Sequence, residues 1–95
     1  MATTQLTLEN FEETVANNDI VLLDFWAAWC GPCRSFAPAY EKVSEQHPDI
    51  VFAEVDTEAE QSLAASFNIM SIPTLMIIRE SVVLFSQVEH FPSVP

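Results

Sequence analysis

Two cysteines stand three positions apart in Cys30-Gly31-Pro32-Cys33, and they are the only cysteines in the 95-residue chain; its one glycine lies between them. A dithiol at this spacing can close a small disulfide ring, so that one thiolate attacks a disulfide and the other resolves the product. That chemistry needs a thiolate near neutral pH. A free cysteine ionises near about pH 8.5, but the unsatisfied N–H groups and partial positive charge of a helix N-terminus bring it to roughly 7 or below. Two other uses of the pair are weaker. A closed zinc site needs four ligands, and only His47 and His90 remain to complete one. A purely structural bridge over so short a loop constrains the unfolded chain little.

The flanking residues supply the required helix end. Ile20-Val21-Leu22-Leu23-Asp24-Phe25-Trp26 is an apolar, β-branched and aromatic run of the kind that forms a buried strand. From Arg34 to Gln46, Phe36, Tyr40 and Val43 recur at three- and four-residue steps, which predicts an amphipathic helix kinked by Pro38 and ended by Gln46-His47-Pro48-Asp49. The cysteines therefore lie at a strand-to-helix junction, with Cys30 at the helix start and Cys33 one turn in.

The remaining elements follow in order. Leu6 and Leu8 read as an extended start, and Leu8, Phe11 and Val15 keep helical spacing up to the Asn17-Asn18-Asp19 stop. Ile50 to Val55 is a second buried strand. Thr57-Glu58-Ala59-Glu60 opens a third helix carrying Leu63, Ala64 and Phe67, with Asn68 as its left-handed cap. Ser71-Ile72-Pro73-Thr74 is a turn, and 75–78 with 82–85 make a hairpin around Arg79-Glu80-Ser81. The order β-α-β-α-β-α-β-β implies an α/β domain with helices on both faces of a mixed sheet.

Residues 1–95 read as one domain with an irregular tail at 87–95. Fourteen acidic against three basic residues give a net charge of −11, which speaks against nucleic acid or an anionic membrane as partner. A hydrophobic content of 49% speaks against disorder. The N-terminus has neither the positive charge nor the apolar stretch of a signal peptide, and no run is long enough to span a membrane, so the expectation is a cytoplasmic protein whose cysteines work rather than staple.

Trp29-Cys30-Gly31-Pro32-Cys33, with Asp24 six positions before Cys30 and Ile72-Pro73-Thr74 placing its proline forty positions after Cys33, resembles the thioredoxin family. The resemblance runs from about Leu6 to Phe85, and 52–85 resembles bacterial thioredoxins in particular. It implies the thioredoxin fold, a three-layer α/β/α arrangement. It implies that Cys30 is the exposed nucleophile, that Cys33 resolves the mixed disulfide, and that Gly31-Pro32 marks a reductase of protein disulfides rather than an oxidant. Asp24 matches a buried acid that assists proton transfer at the resolving cysteine; burial in so apolar a strand is expected to raise its pKa toward neutrality. Many relatives place a lysine near this acid, and the matching positions are read as Ala37 and Phe52. Pro73 matches a cis-proline lying against the disulfide, Ile72 the residue whose backbone pairs with substrate, and Trp29 a docking-surface tryptophan. Met70 stands beside the site where bacterial relatives often have arginine. Trp26 and Phe25 read as core, while His47 and His90 receive no role. The implied partners are disulfide-bearing proteins and an NADPH-dependent thioredoxin reductase, and no bound cofactor is required.

The chain also departs from the family pattern. Asn68 and Ser81 stand where relatives carry glycine, and a serine held at positive φ costs about 1 kcal/mol. The usual C-terminal helix is absent from Glu89-His90-Phe91-Pro92-Ser93-Val94-Pro95. Uncovering about 300 Å² of apolar sheet would cost roughly 7 kcal/mol. The expectation is therefore that Phe91 and Val94 fold back over that face, or that two chains pair there as a homodimer. A second functional reading follows from the same departures: an interaction module on this fold with weak or no turnover.

Overall fold

A computed structural model describes residues 2–88. Its elements are β1 (Thr3–Gln5), α1 (Phe11–Ala16), β2 (Ile20–Trp26), α2 (Gly31–Gln46), β3 (Val51–Asp56), α3 (Gln61–Ser66), β4 (Thr74–Arg79) and β5 (Val82–Val88), in the expected order. They build one five-stranded sheet ordered β1-β3-β2-β4-β5, with β1, β3 and β2 parallel and β4 and β5 antiparallel.

The apolar run of β2 places it in the middle, because it must be covered on both faces. Its alternate residues Val21, Leu23 and Phe25 are fully buried on one face with Val15 of α1 and Leu63 of α3. The Phe67 ring, 5.6 Å from Phe11 and 5.8 Å from Phe25, ties the two short helices to the strand. On the other face lie Leu22, Asp24 and Trp26, and α2 packs there. The ring of Tyr40 meets Phe52 at 5.4 Å, and its hydroxyl donates to the carbonyl of Ala53 at 2.8 Å and lies 3.2 Å from that of Leu22. Helices on both faces of a mixed sheet make the three-layer α/β/α arrangement expected from the sequence.

Burial, and behind it the negative charges of Asp24 and Glu54, push the Tyr40 phenol well above its ordinary range. A raised folded value means stability that is complete below about pH 10, where the unfolded tyrosine ionises, and is lost as pH rises beyond it. Tyr40→Phe should lose about 1 kcal/mol at neutral pH but escape that alkaline loss. Urea midpoints at about pH 8 and 11 check this, and a wild-type slope no steeper than that of the variant would refute it.

Local turn chemistry moves several expected boundaries. The initial strand is Thr3–Gln5, and Leu6 follows it, buried, with its N–H on the Glu54 carbonyl at 2.8 Å. Leu8 is 59% exposed and lies outside α1. Asn10 Oδ1 accepts from Thr7 N at 2.7 Å, and the resulting turn delays the helix to Phe11. The third helix begins at Gln61 rather than Thr57, because Asp56 Oδ1 takes the N–H groups of Glu58 and Ala59 at 2.9 and 3.3 Å and folds those residues into a turn. Helix α2 starts at Gly31, three residues before the sequence pattern, since the periodic apolar residues begin only at Phe36.

Asn68 at φ 55° and Ser81 at φ 69° occupy the left-handed region, Asn68 as expected of a helix cap. Glu80 at φ 51° joins Ser81, because a two-residue connection that matches the strand twist needs positive φ at both positions. The expectations for the tail, including Phe91, Val94 and His90, lie outside the described residues. His47 is exposed at the end of α2.

Candidate active site

Cys30 is the N-cap of α2. Its backbone is extended, at φ −86° and ψ 109°, and its Sγ accepts the N–H of Cys33 at 3.1 Å, so the sulfur takes the place of a capping side-chain oxygen. Pro32 falls in the first turn, where its missing N–H leaves no bond unmade. A Cβ at Gly31 would meet nothing within 4 Å, and its φ is not positive, so neither space nor backbone demands glycine there. Cys30 and Cys33 are joined as a disulfide with Cα atoms 5.2 Å apart. Upstream, Arg34 Nη1 donates to the Ala28 carbonyl at 2.7 Å and ties the approach loop to the helix.

The expected exposure of the nucleophile needs correction. Cys30 is 4% and Cys33 3% exposed, both packed with Ala27, Trp26 and Ile72. Surroundings, rather than accessibility, distinguish the two sulfurs.

On the Cys30 side the Ile72-Pro73 bond is cis, Pro73 is fully buried, and the Ile72 carbonyl oxygen lies 4.0 Å from Cys30 Sγ. Trp29, 67% exposed, and Met70, 93% exposed, flank a shallow groove of about 410 Å³ with Thr57, Ile69, Ser71 and Ile72. Trp29 Nε1 donates to Glu58 Oε2 at 2.9 Å, which fixes the indole beside the cysteines. The groove therefore offers an apolar wall and, at Ile72, a residue whose backbone carbonyl lies beside Cys30.

On the Cys33 side Asp24, 4% exposed, shares a cavity of about 180 Å³ with Cys33, Trp26, Arg34, Ala37 and Glu54. Of the two positions read as neighbours of this acid, Ala37 lines the cavity. Phe52 does not: it pairs with Leu22, and the β3 residue opposite Asp24 is Glu54. Trp26, read as core, is half-buried and forms part of the cavity wall, because it leaves β2 on the Asp24 face.

Three contributors escaped the sequence reading: Arg34, Glu58 and Glu54. The alternation Phe52, Glu54, Asp56 in β3 could have placed Glu54 on the α2 face, but nothing local marks one acid among fourteen. Among the described residues no group of three or more His, Cys, Asp and Glu is placed to hold a metal ion, and no helix is long and apolar enough to cross a membrane.

Comparison with known proteins agrees with this geometry. The family model described as Thioredoxin matches residues 2–92. The chain is 57% identical over 91 residues to the putative thioredoxin 2 of Streptomyces coelicolor, covering 96% of this chain and 68% of that one. To thioredoxin C-3 of Corynebacterium nephridii it is 46% identical over 78 residues, but it spans only 54% of that relative's length. Among solved structures, spinach chloroplast thioredoxin f superposes with a TM-score of 0.87 at 32% identity, over 92% of this chain and 80% of that one. Plasmodium falciparum thioredoxin gives the same TM-score at 30% identity, over 90% and 85%.

Proposed function

The chain belongs to the thioredoxin family, and from that premise we infer that it is a thiol–disulfide oxidoreductase that reduces protein disulfides, with Cys30 attacking and Cys33 resolving. The observation that carries the assignment of roles is the Cys30 cap. Its sulfur receives the Cys33 N–H and the positive end of a 16-residue helix, both of which stabilise negative charge on that atom.

A substrate segment lies extended in the groove between Trp29 and Met70 and pairs with the backbone at Ile72. The Cys30 thiolate attacks one sulfur of its disulfide; that S–S bond breaks, and the first substrate thiolate leaves. The Cys33 thiol then gives up its proton, with Asp24 as the acceptor, and its sulfur attacks Cys30 Sγ. The bond between Cys30 and substrate breaks, the second substrate thiolate departs, and the Cys30–Cys33 disulfide remains. Two electrons have passed from the dithiol to the substrate.

For partners we propose disulfide-bearing proteins and, as electron donor, an NADPH-dependent thioredoxin reductase, in the cytoplasm. Pairing of two copies is proposed over the α2 face of the sheet, where Leu22, Leu75 and Ile77 are half-buried.

The test is reduction of insulin disulfides with dithiothreitol as donor, run across protein concentrations beside the mass in solution. Turnover by the wild type is expected; a folded protein without it would return the chain to the reading of a binding module. Pre-reduced Cys33→Ser, freed of dithiothreitol before it meets the substrate, should stall after one event per molecule, as a mixed disulfide between Cys30 and the substrate chain seen by mass spectrometry. A mixed disulfide that accumulates in Cys30→Ser but not in Cys33→Ser would invert the two roles.

A further inference from the structure

We propose that Glu54 is a positioning residue for the proton that Cys33 must lose, acting through Asp24: its charge sets the pH at which the Asp24 carboxyl can receive that proton. The inference rests on the exchange reaction above.

The register of β2 and β3 puts Asp24 directly opposite Glu54, so the two side chains leave neighbouring strands about 5 Å apart on the same face. Both line the cavity that also holds Cys33. A cavity of about 180 Å³, mostly apolar but with the Asp24 and Glu54 carboxyls in its wall, has room for several waters at about 30 Å³ each. Trp26 Nε1, on that wall, has no acceptor among the described residues and can donate into it. Glu54 is half-buried, and its Oε1 accepts from Gln5 Nε2 at 3.2 Å, which anchors the carboxylate from the outer edge of the sheet.

Besides Glu54 on β3, the groups around Asp24 among the described residues come from α2, β4 and β1. From α2 come Cys33, Arg34 and Tyr40. Arg34 lines the same cavity and keeps its positive charge, but it is exposed, where solvent screens it, and its Nη1 donates to the Ala28 carbonyl. The Tyr40 hydroxyl is held protonated by burial and by these same two acids, and its hydrogen goes to the Ala53 carbonyl. From β4 the register partner is Leu75, which is apolar, and β1 sets the Gln5 amide on Glu54. Glu54 is the charge set directly opposite Asp24 across the strand pair, and like charge favours the protonated form of its neighbour.

The proton balance is simple. In the resolving step the Cys33 S–H bond breaks and its proton moves, directly or through water, to the Asp24 carboxylate. The sulfur keeps the electron pair and forms the bond to Cys30, and the substrate sulfur leaves with the pair from the broken S–S bond. Asp24 then returns its proton to solvent past Glu54. Asp24 can accept only when ionised, so resolution rises with pH through its titration, and the Glu54 charge moves that rise to higher pH.

The experiment is stopped-flow reaction of the reduced protein with dithiobis-nitrobenzoate, where the second thionitrobenzoate released reports the attack by Cys33. It is run across pH for wild type, Glu54→Gln, Asp24→Asn and the double variant. Carboxyl-carbon NMR titration of Asp24 in the reduced protein, which needs no disulfide substrate, runs beside it. Glutamine keeps the shape of Glu54 and an oxygen for Gln5. In Glu54→Gln the rising limb and the Asp24 midpoint should both move down by about one pH unit, making resolution up to roughly tenfold faster on the acid side. The double variant should match Asp24→Asn. A midpoint that stays in place, or a shift that persists in the Asp24→Asn background, overturns the proposal. Failure of wild type to release the second thionitrobenzoate would sink the exchange reading instead, and the NMR titration would still decide whether Glu54 governs the Asp24 proton.

Discussion

Cys30→Ser should reduce disulfides no faster than buffer, a loss of roughly 10³-fold or more, while remaining as stable as the reduced wild type. The substitution separates chemistry from structure. Serine is among the best N-cap residues, so the Cys33 N–H keeps an acceptor and α2 keeps its start. What disappears is the ionisable sulfur: a hydroxyl is not a thiolate at neutral pH and cannot form the mixed disulfide. Insulin reduction and the thermal midpoint, both measured against reduced wild type, make the comparison. Residual turnover above a few per cent would mean that Cys33 can open substrate disulfides unaided. A collapsed midpoint would mean that the sulfur serves the fold as well as the reaction.

The second large effect is on stability and lies behind the site. Phe25→Ala should cost about 3–5 kcal/mol, because the ring is fully buried in the centre of the sheet and the cavity left behind is walled by β-branched and aromatic neighbours that cannot close over it. A domain of this size has about 5–15 kcal/mol in all, so the midpoint should fall by about 15–30 °C. The consequence reaches the chemistry. Phe25 follows Asp24 and is held by Phe67, which also clasps Phe11, so one ring pins β2 against both short helices. Thermal unfolding followed by circular dichroism tests it. A fall of under about 5 °C would show that the site collapses inward far better than its packing implies.

The sequence alone determined the parts of this protein whose causes are local. The run of 20–26, β-branched and aromatic and apolar but for Asp24, reads as a strand covered on both faces, and the strand found is Ile20–Trp26. The pair Cys30 and Cys33 at a helix start carries its own geometry, since one helical turn separates the sulfurs and the backbone N–H groups there have no other acceptor. Asn68 was legible as a left-handed cap of the third helix, and it has positive φ.

Tertiary structure decided what depends on partners distant in the chain. That Asp24 faces Glu54, and not Phe52, follows from the register of two parallel strands. Such strands are joined by a crossover helix rather than a tight turn, so their alignment is set by how α2 and the core settle and not by any residue between them. Glu58 reaches Trp29 only because Asp56 folds the loop after β3 into a turn that the acids of a helix start had concealed. The near-complete burial of Cys30 and the approach of Ile72 to it likewise join segments about forty residues apart. Periodicity and capping chemistry specify which face a residue takes on its own element. The neighbour it meets across the sheet is fixed by the packing of the whole domain.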